Sequence, residues 1–205
     1  MTITLKQGDC LELMKELPDE SIDLVLTDPP YSEEFIPLYE DLARESSRVL
    51  KDGRLCIAYA GHYHLPEVIE LMGKHLKYYW IFALQHQGGG STMIFEKRIS
   101  CHFKPIIAYS KGKVNGKTPI ISDVIKGSGR AKKNHPWEQG VNELYPFIKK
   151  YTKEGDTVLD LFMGSGTTGV ACVQLNRNFI GYEINPEYVK IAEKRIDEAQ
   201  EQARL

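Results

Sequence analysis

The chain has no apolar run approaching the about 18 residues that a membrane-spanning helix needs. Its opening residues, MTITLKQGDC, lack the basic-then-apolar layout of a secretory leader. Cysteine is scarce: Cys10, Cys56, Cys101 and Cys172 are far apart and form no Cys-x-x-Cys pair. Neither a zinc knuckle nor a disulfide framework is expected. His62 and His64 are too little for a metal site, so no bound metal is expected. An excess of one charge is missing too, with 26 Lys and Arg against 28 Asp and Glu, net −2. A chain that coats nucleic acid along its whole length would be strongly basic, so any such contact must come from a local patch. Internal repeats and low-complexity tracts are absent. What remains is a soluble, cytoplasmic protein, and 205 residues suit one domain spanning 1–205.

Strand-like and helix-like segments alternate. TITL (2–5) reads as a short strand, followed by a helix over 10–17. SIDLVLTD (21–28) is a continuous apolar and β-branched run, the pattern of a parallel strand buried on both faces. A helix is expected over 33–50, with Phe35, Leu38, Leu42 and Val49 inward and Gly53 as its stop. Further strands are expected at 54–60, 78–85, 105–110, 156–162 and 178–184. Further helices are expected at 65–76, at 141–151 and after the glycine loop. The last helix has a clear start, with Asn185 as cap, Pro186 in the first position and Glu187 in the first turn. Residues 86–104 and 111–135 read as irregular. This alternation predicts an α/β, Rossmann-like, doubly wound sheet, mostly parallel.

Residues 158–170, VLDLFMGSGTTGV, carry an apolar strand through Asp160 into a turn with Gly164 and Gly166, then a helix. The glycines allow a sharp bend and leave room for a ligand against the main chain. The helix start offers unpaired N–H groups. Gly164, Gly166 and Gly169 fit G-x-G-x-x-G, and Glu183 lies 19 residues past Gly164 at the end of the next strand. The pattern predicts a nucleoside-containing cofactor, against the plainer reading of a glycine turn that packs a helix on a strand. A carboxylate before the loop would repel a pyrophosphate and attract a cationic amino-acid head group. S-adenosylmethionine is therefore favoured over a dinucleotide, and a nucleoside-cofactor oxidoreductase is the weaker alternative.

Directly after the second strand stand Asp28, Pro29, Pro30 and Tyr31. Two prolines fix two φ angles and remove two donors. A stiff rim of acceptors is left, the Asp28 carboxylate and the two proline carbonyls, with Tyr31 beside it as an aromatic plate. Such a rim suits a flat ligand with an exocyclic amine, an unpaired nucleobase above all. The plainer reading is a strand ended by a Pro-Pro turn. Open α/β sheets bind ligands at the carboxyl ends of their strands.

LTDPPY (26–31) and VLDLFMGSGTTGVAC (158–172) together resemble the amino-methylating DNA methyltransferases, which act on adenine N6 or cytosine N4 with S-adenosylmethionine. The order, catalytic motif first, resembles the permuted β-type members. QGDCLELMKELPDESIDLVLTDPPY, HFKPIIAYSKGK and LNRNFIGYEINPEYVKIAEKRI extend the likeness. The resemblance implies a seven-stranded, mostly parallel sheet with one antiparallel strand near an edge and helices on both faces. It implies Asp28, Pro29, Pro30 and Tyr31 as catalytic residues. It also implies a cofactor site of Asp9, Cys10, Asp160, Phe162, Gly164, Ser165, Gly166, Thr167, Thr168, Glu183 and Ile184. Within it Glu183 would hold the ribose hydroxyls and Asp9 the adenine amine; Asp9 alone would read as a helix cap. His135, in HPWEQG, reads as a cofactor contact or a turn residue. DNA and S-adenosylmethionine are the implied partners, and a homodimer is compatible with the family.

The implied reaction is transfer of a methyl group to adenine N6 in DNA, with cytosine N4 or RNA as alternatives on the same scaffold. Adenine is favoured because the cytosine-N4 members more often begin the motif with Ser. A catalytically silent DNA-binding subunit is the remaining alternative, and the intact Asp28–Tyr31 quartet counts against it. Phosphate contacts are expected from Arg130, Lys132 and Lys133, with Lys126, in the glycine-bearing insert 111–134. Lys97, Arg98 and Lys104 form a second candidate patch. The plainer reading of both is a solvated loop.

Overall fold

A computed structural model describes residues 1–86, 92–114, 119–127 and 140–204. Among the described residues the main sheet has eight strands, in the order β1 (Ile3–Gln7), β10 (Asn178–Glu183), β9 (Thr157–Asp160), β2 (Ile22–Thr27), β3 (Leu50–Tyr59), β7 (Phe103–Ser110), β4 (Lys77–Gln85) and β8 (Val124–Lys126). Only β7 runs against its neighbours: it pairs antiparallel with both β3 and β4. The expected fold class is therefore present, with one strand more than the seven anticipated. The extra strand is β8, which adds in parallel to the β4 edge through Val124, Ile125 and Lys126. A separate hairpin, β5 (Thr92–Ile94) with β6 (Ile99–Cys101), lies within the other stretch read as irregular.

Strand residues alternate between two apolar layers, as the period of two requires. Leu24, Leu26, Leu55 and Ile57 face α4 (Val141–Tyr151), α5 (Thr167–Gln174) and α6 (Pro186–Gln202). Val25, Cys56, Ala58 and Leu159 face α1 (Cys10–Met14), α2 (Leu38–Val49) and α3 (Leu65–Gly73). All six β2 residues are buried; Ile22, Leu24, Val25 and Leu26 supply the apolar surface, while Asp23 is buried in ion pairs with Lys51 and Arg54.

Several boundaries differ from expectation. The helix expected over 33–50 begins only at Leu38, after a single 3-10 turn, Glu33–Phe35. Ile36 keeps right-handed helical backbone, at φ −60° and ψ −42°, but Pro37 has no N–H to carry an α-helical bond back to Glu33. Phe35 is consequently exposed, and Tyr39 takes the inward place, its hydroxyl donating to the Tyr59 carbonyl at 3.0 Å. The helix stops at Val49; Gly53 lies inside β3, in the left-handed region at φ +74°, where its N–H meets the Lys111 carbonyl. The first and third helices are each shorter at the C-terminal end than expected. No helix among the described residues is long and apolar enough to cross a membrane.

Candidate functional site

The glycine loop and the proline rim meet at the carboxyl ends of two central strands because β9 and β2 are parallel neighbours, with Leu24 opposite Val158 and Val25 opposite Leu159. The junction is tied by side chains. Thr27 Oγ1 donates to Asp160 Oδ1 at 2.9 Å, and Thr168 Oγ1 donates to Asp160 Oδ2 at 2.6 Å. The Phe162 N–H donates to Oδ1 at 3.1 Å. Asp160 thus joins β2, β9 and the first turn of α5, and it is almost fully buried. Burial pushes its pKa from 3.8 up to about 6, although these three donors favour the anion. The nearby Asp28 charge adds to the rise.

The loop itself is built on left-handed backbone at Gly164 (φ +50°) and Gly166 (φ +81°). The two glycines serve different ends. A Cβ on Gly166 would stand 2.8 Å from Ala192 Cβ, so this position lets α6 approach. A Cβ on Gly164 would meet nothing within 4 Å, so that side is open to a ligand. The Gly164 N–H donates to Glu183 Oε2 at 3.0 Å, and the Asn185 N–H donates to Oε1 at 2.8 Å. Glu183 is thereby aimed from the end of β10 toward the loop. Ile184, next to it, is 68% exposed, an apolar surface facing solvent beside an acid. Ser165, Thr167 and Thr168 are buried, and Arg195 of α6 donates to the Ser165 carbonyl and hydroxyl, both at 2.7 Å. Phe162 is half-buried.

Asp9 caps α1, its Oδ1 accepting from the Leu11 and Glu12 N–H groups at 2.9 and 3.2 Å. The Gly8 N–H before it donates to the Glu183 carbonyl at 3.0 Å, which brings Asp9 to the same end of the sheet as Glu183. Cys10 is buried at the start of that helix, and burial pushes its thiol up to about 12. Cys56 is likewise pushed up to about 12, so neither thiol is a ready nucleophile.

At the proline rim Pro29 is buried, while Asp28, Pro30 and Tyr31 are half-buried. Gly61 follows β3 closely enough that a Cβ there would stand 3.1 Å from Tyr31 Cβ. Sequence reading missed one member of this site. Lys104, at the start of β7, places Nζ 3.0 and 3.3 Å from the two Asp28 oxygens. The same ammonium lies 4.7 Å from the Tyr31 ring centroid and 4.9 Å from that of Tyr59. Lys104 therefore leaves the second basic patch it was expected to share with Lys97 and Arg98. Of those two, Lys97 lies over the Tyr63 ring, and Arg98 is exposed at the hairpin turn in left-handed backbone. Arg130, Lys132, Lys133 and His135 lie outside the described residues; Lys126 is exposed at the end of β8. Among the described residues, no group of three or more His, Cys, Asp or Glu side chains could hold a metal ion.

A family model described as DNA methylase matches residues 117–194, and one described as RMKL-like, methyltransferase domain, matches residues 1–86. The chain is 27% identical to the DNA adenine methyltransferase YhdJ of Escherichia coli (strain K12), over 96% of this chain and 83% of that protein. Among solved structures it superposes on the M1.HpyAVI–SAM complex with a TM-score of 0.79 at 24% identity, covering 96% of this chain and 100% of that one. It superposes on the cytosine-N4-specific PvuII DNA methyltransferase with a TM-score of 0.83 at 19% identity, covering 99% of this chain and 93% of that one. The fold is that of the S-adenosylmethionine-dependent methyltransferases, and the sequence matches support an amino-methylating enzyme.

Proposed function

We propose that the protein transfers a methyl group from S-adenosylmethionine to the N6 amine of adenine in DNA. The observation that carries this reading is the meeting of two loops, Asp28–Tyr31 and Asp160–Gly166, at the carboxyl ends of neighbouring parallel strands. The residues of the glycine loop suit such a cofactor. Gly164 leaves an open face, Glu183 offers a carboxylate to ribose hydroxyls, and Ile184 offers apolar surface to a purine ring. The Asp160 carboxylate before the glycine loop favours a ligand with a cationic end over a phosphate; Asp28 is already paired with Lys104. Bound there, S-adenosylmethionine supplies an electrophilic methyl carbon.

The protein's part is to prepare the amine. An adenine amine is conjugated into its ring and is a poor nucleophile. Once the base has left its stack, the Asp28 carboxylate and the Pro29 carbonyl accept hydrogen bonds from the two amine N–H groups. They draw the nitrogen toward sp³ geometry and aim its lone pair outward, while Tyr31 stacks on the ring. Positive charge developing on nitrogen is stabilised by the Asp28 anion, holding the two reactants in place lowers the barrier further, and the methylated nitrogen gives up one of its two protons, through Asp28, to water. Phosphate contacts from Arg130, Lys132 and Lys133 would hold the duplex.

Incubation of the protein with DNA and methyl-labelled S-adenosylmethionine, followed by mass spectrometry of the nucleosides, tests the reading. Labelled N6-methyladenine is expected; labelled N4-methylcytosine alone would replace adenine by cytosine as the target. Asp28→Ala should abolish transfer while leaving cofactor affinity largely intact, and full activity in that variant would refute the assignment.

A further inference from the structure

The position of Lys104 is a consequence of the sheet. Its backbone lies in register with Leu84 of β4, and the Pro105 carbonyl accepts the Ala60 N–H at 3.0 Å. The stem therefore leaves from a strand clamped on both sides, close to the end of β3. The ammonium touches both Asp28 oxygens and lies against the faces of Tyr31 and Tyr59. These are the surfaces that the methyl-transfer reading gives to the target base: the carboxylate to its amine, the Tyr31 ring to its face. One cation thus stands where an amine donor and a stacked ring are to go.

When an amine takes the carboxylate, the ammonium must give it up. Its side chain is only 25% exposed, and a half-buried cation without an acceptor is costly. Four methylenes and three rotatable N–H donors let it move a few ångströms without leaving the pocket. The base brings a fresh acceptor close by, because the ring nitrogen beside the exocyclic amine carries an in-plane lone pair (adenine N1, or N3 in cytosine). We propose that Lys104 is a specificity-determining residue: displaced from Asp28, it donates to the ring nitrogen adjacent to the target amine. The pocket then admits a flat ring only when it presents a donor for Asp28 and, next to it, an acceptor for Lys104. A ring nitrogen is also the better nucleophile of an aminoheterocycle, so an ammonium bound there shields it and leaves the exocyclic amine as the atom that reacts. Lys104 touches the base in this scheme and does not take the transferred group.

The inference rests on the methyl-transfer reading, and the test separates the two. A duplex that the wild-type protein methylates is prepared with adenine or with 1-deazaadenine at the target position, and kcat/KM is measured for wild type and for Lys104→Met on both. The analogue keeps the amine and lacks the acceptor. Wild type is expected to lose about tenfold or more on the analogue, the scale of one hydrogen bond to a charged group. Lys104→Met is expected to be slower on adenine and nearly indifferent to the analogue. An equal analogue penalty in both proteins, or none in wild type, overturns the proposal and returns Lys104 to the role of a counter-ion for Asp28. Should Lys104→Met fall below detection, Lys104→Gln, one atom shorter, uncharged and still able to donate, is read instead: its analogue penalty is expected to be smaller than that of wild type, and an equal penalty overturns the proposal. Absence of methylation on the natural adenine duplex would instead sink the methyl-transfer reading itself.

Discussion

Asp160 allows a quantitative test of how the two loops are joined. It is buried, accepts from Thr27, Thr168 and the Phe162 N–H, and has its pKa pushed from 3.8 to about 6. One pKa unit corresponds to about 1.4 kcal/mol, so the ionised, buried carboxylate costs about 3 kcal/mol relative to the unfolded chain. The sign follows from the direction of the shift. A carboxyl that holds its proton more tightly when folded contributes its full stability below the unfolded pKa of 3.8, and that contribution is lost as pH rises toward 6. Between pH 4.5 and 7 the loss comes to about 2 kcal/mol. Urea unfolding of wild type and Asp160→Asn across that interval isolates it, because other titrating groups are common to both proteins and Asn cannot ionise. The stability of wild type relative to Asp160→Asn should fall by about 2 kcal/mol over that rise in pH. A difference that stays flat would mean that the three donors fully offset burial, and the reasoning would fail. The same ionisation bears on the proposed cofactor: an ammonium placed near Asp160 favours the anion, so affinity for S-adenosylmethionine should rise as pH rises through 6. Calorimetry in buffers of different ionisation heat would detect the accompanying proton release.

Two further tests address packing and the nucleic acid. A Cβ on Gly169 would stand 2.4 Å from Ile196 Cδ1 and 2.9 Å from Phe179 Cε1, so Gly169→Ala should cost about 1–3 kcal/mol by forcing α5 away from α6 and the sheet. Thermal denaturation should show a loss of several degrees, and an unchanged midpoint would mean that the helices give way freely. Replacing Arg130, Lys132 and Lys133 by Gln should weaken DNA binding and flatten the slope of log affinity against log salt by about 3, roughly one unit for each phosphate no longer neutralised. An unchanged slope would remove that segment from the interface.

The elements legible in the sequence are those whose signal is local. Four apolar residues among the six of β2, Ile22, Leu24, Val25 and Leu26, announce a buried strand. Asn185 is read correctly as the α6 cap, its side chain accepting the Glu187 N–H at 2.9 Å, because a cap and its partner lie within one turn. The hairpin and β8 went unread because strands of three residues carry no period of their own; β8 exists through its pairing with β4. Phe35 misled because helical spacing was extended back across Pro37, which has no N–H to continue the α-helical ladder toward Glu33.

Lys104 shows why a site can be half visible. In sequence it lies near Lys97 and Arg98 and reads as one more phosphate-seeking charge; its partner, Asp28, is 76 residues away. What joins them is strand direction. The parallel strands β2, β3 and β9 all deliver their last residues to one end of the sheet, which is why Asp28 and Asp160 meet there. β7 alone runs the other way beside β3, so it is its first residues that arrive at that end. A charge at the start of a reversed strand therefore falls among groups that belong to the ends of the others. Motifs that follow strands are found by reading forward from apolar runs. The complementary charge has to be sought ahead of a run, and only the sheet order tells which run to choose.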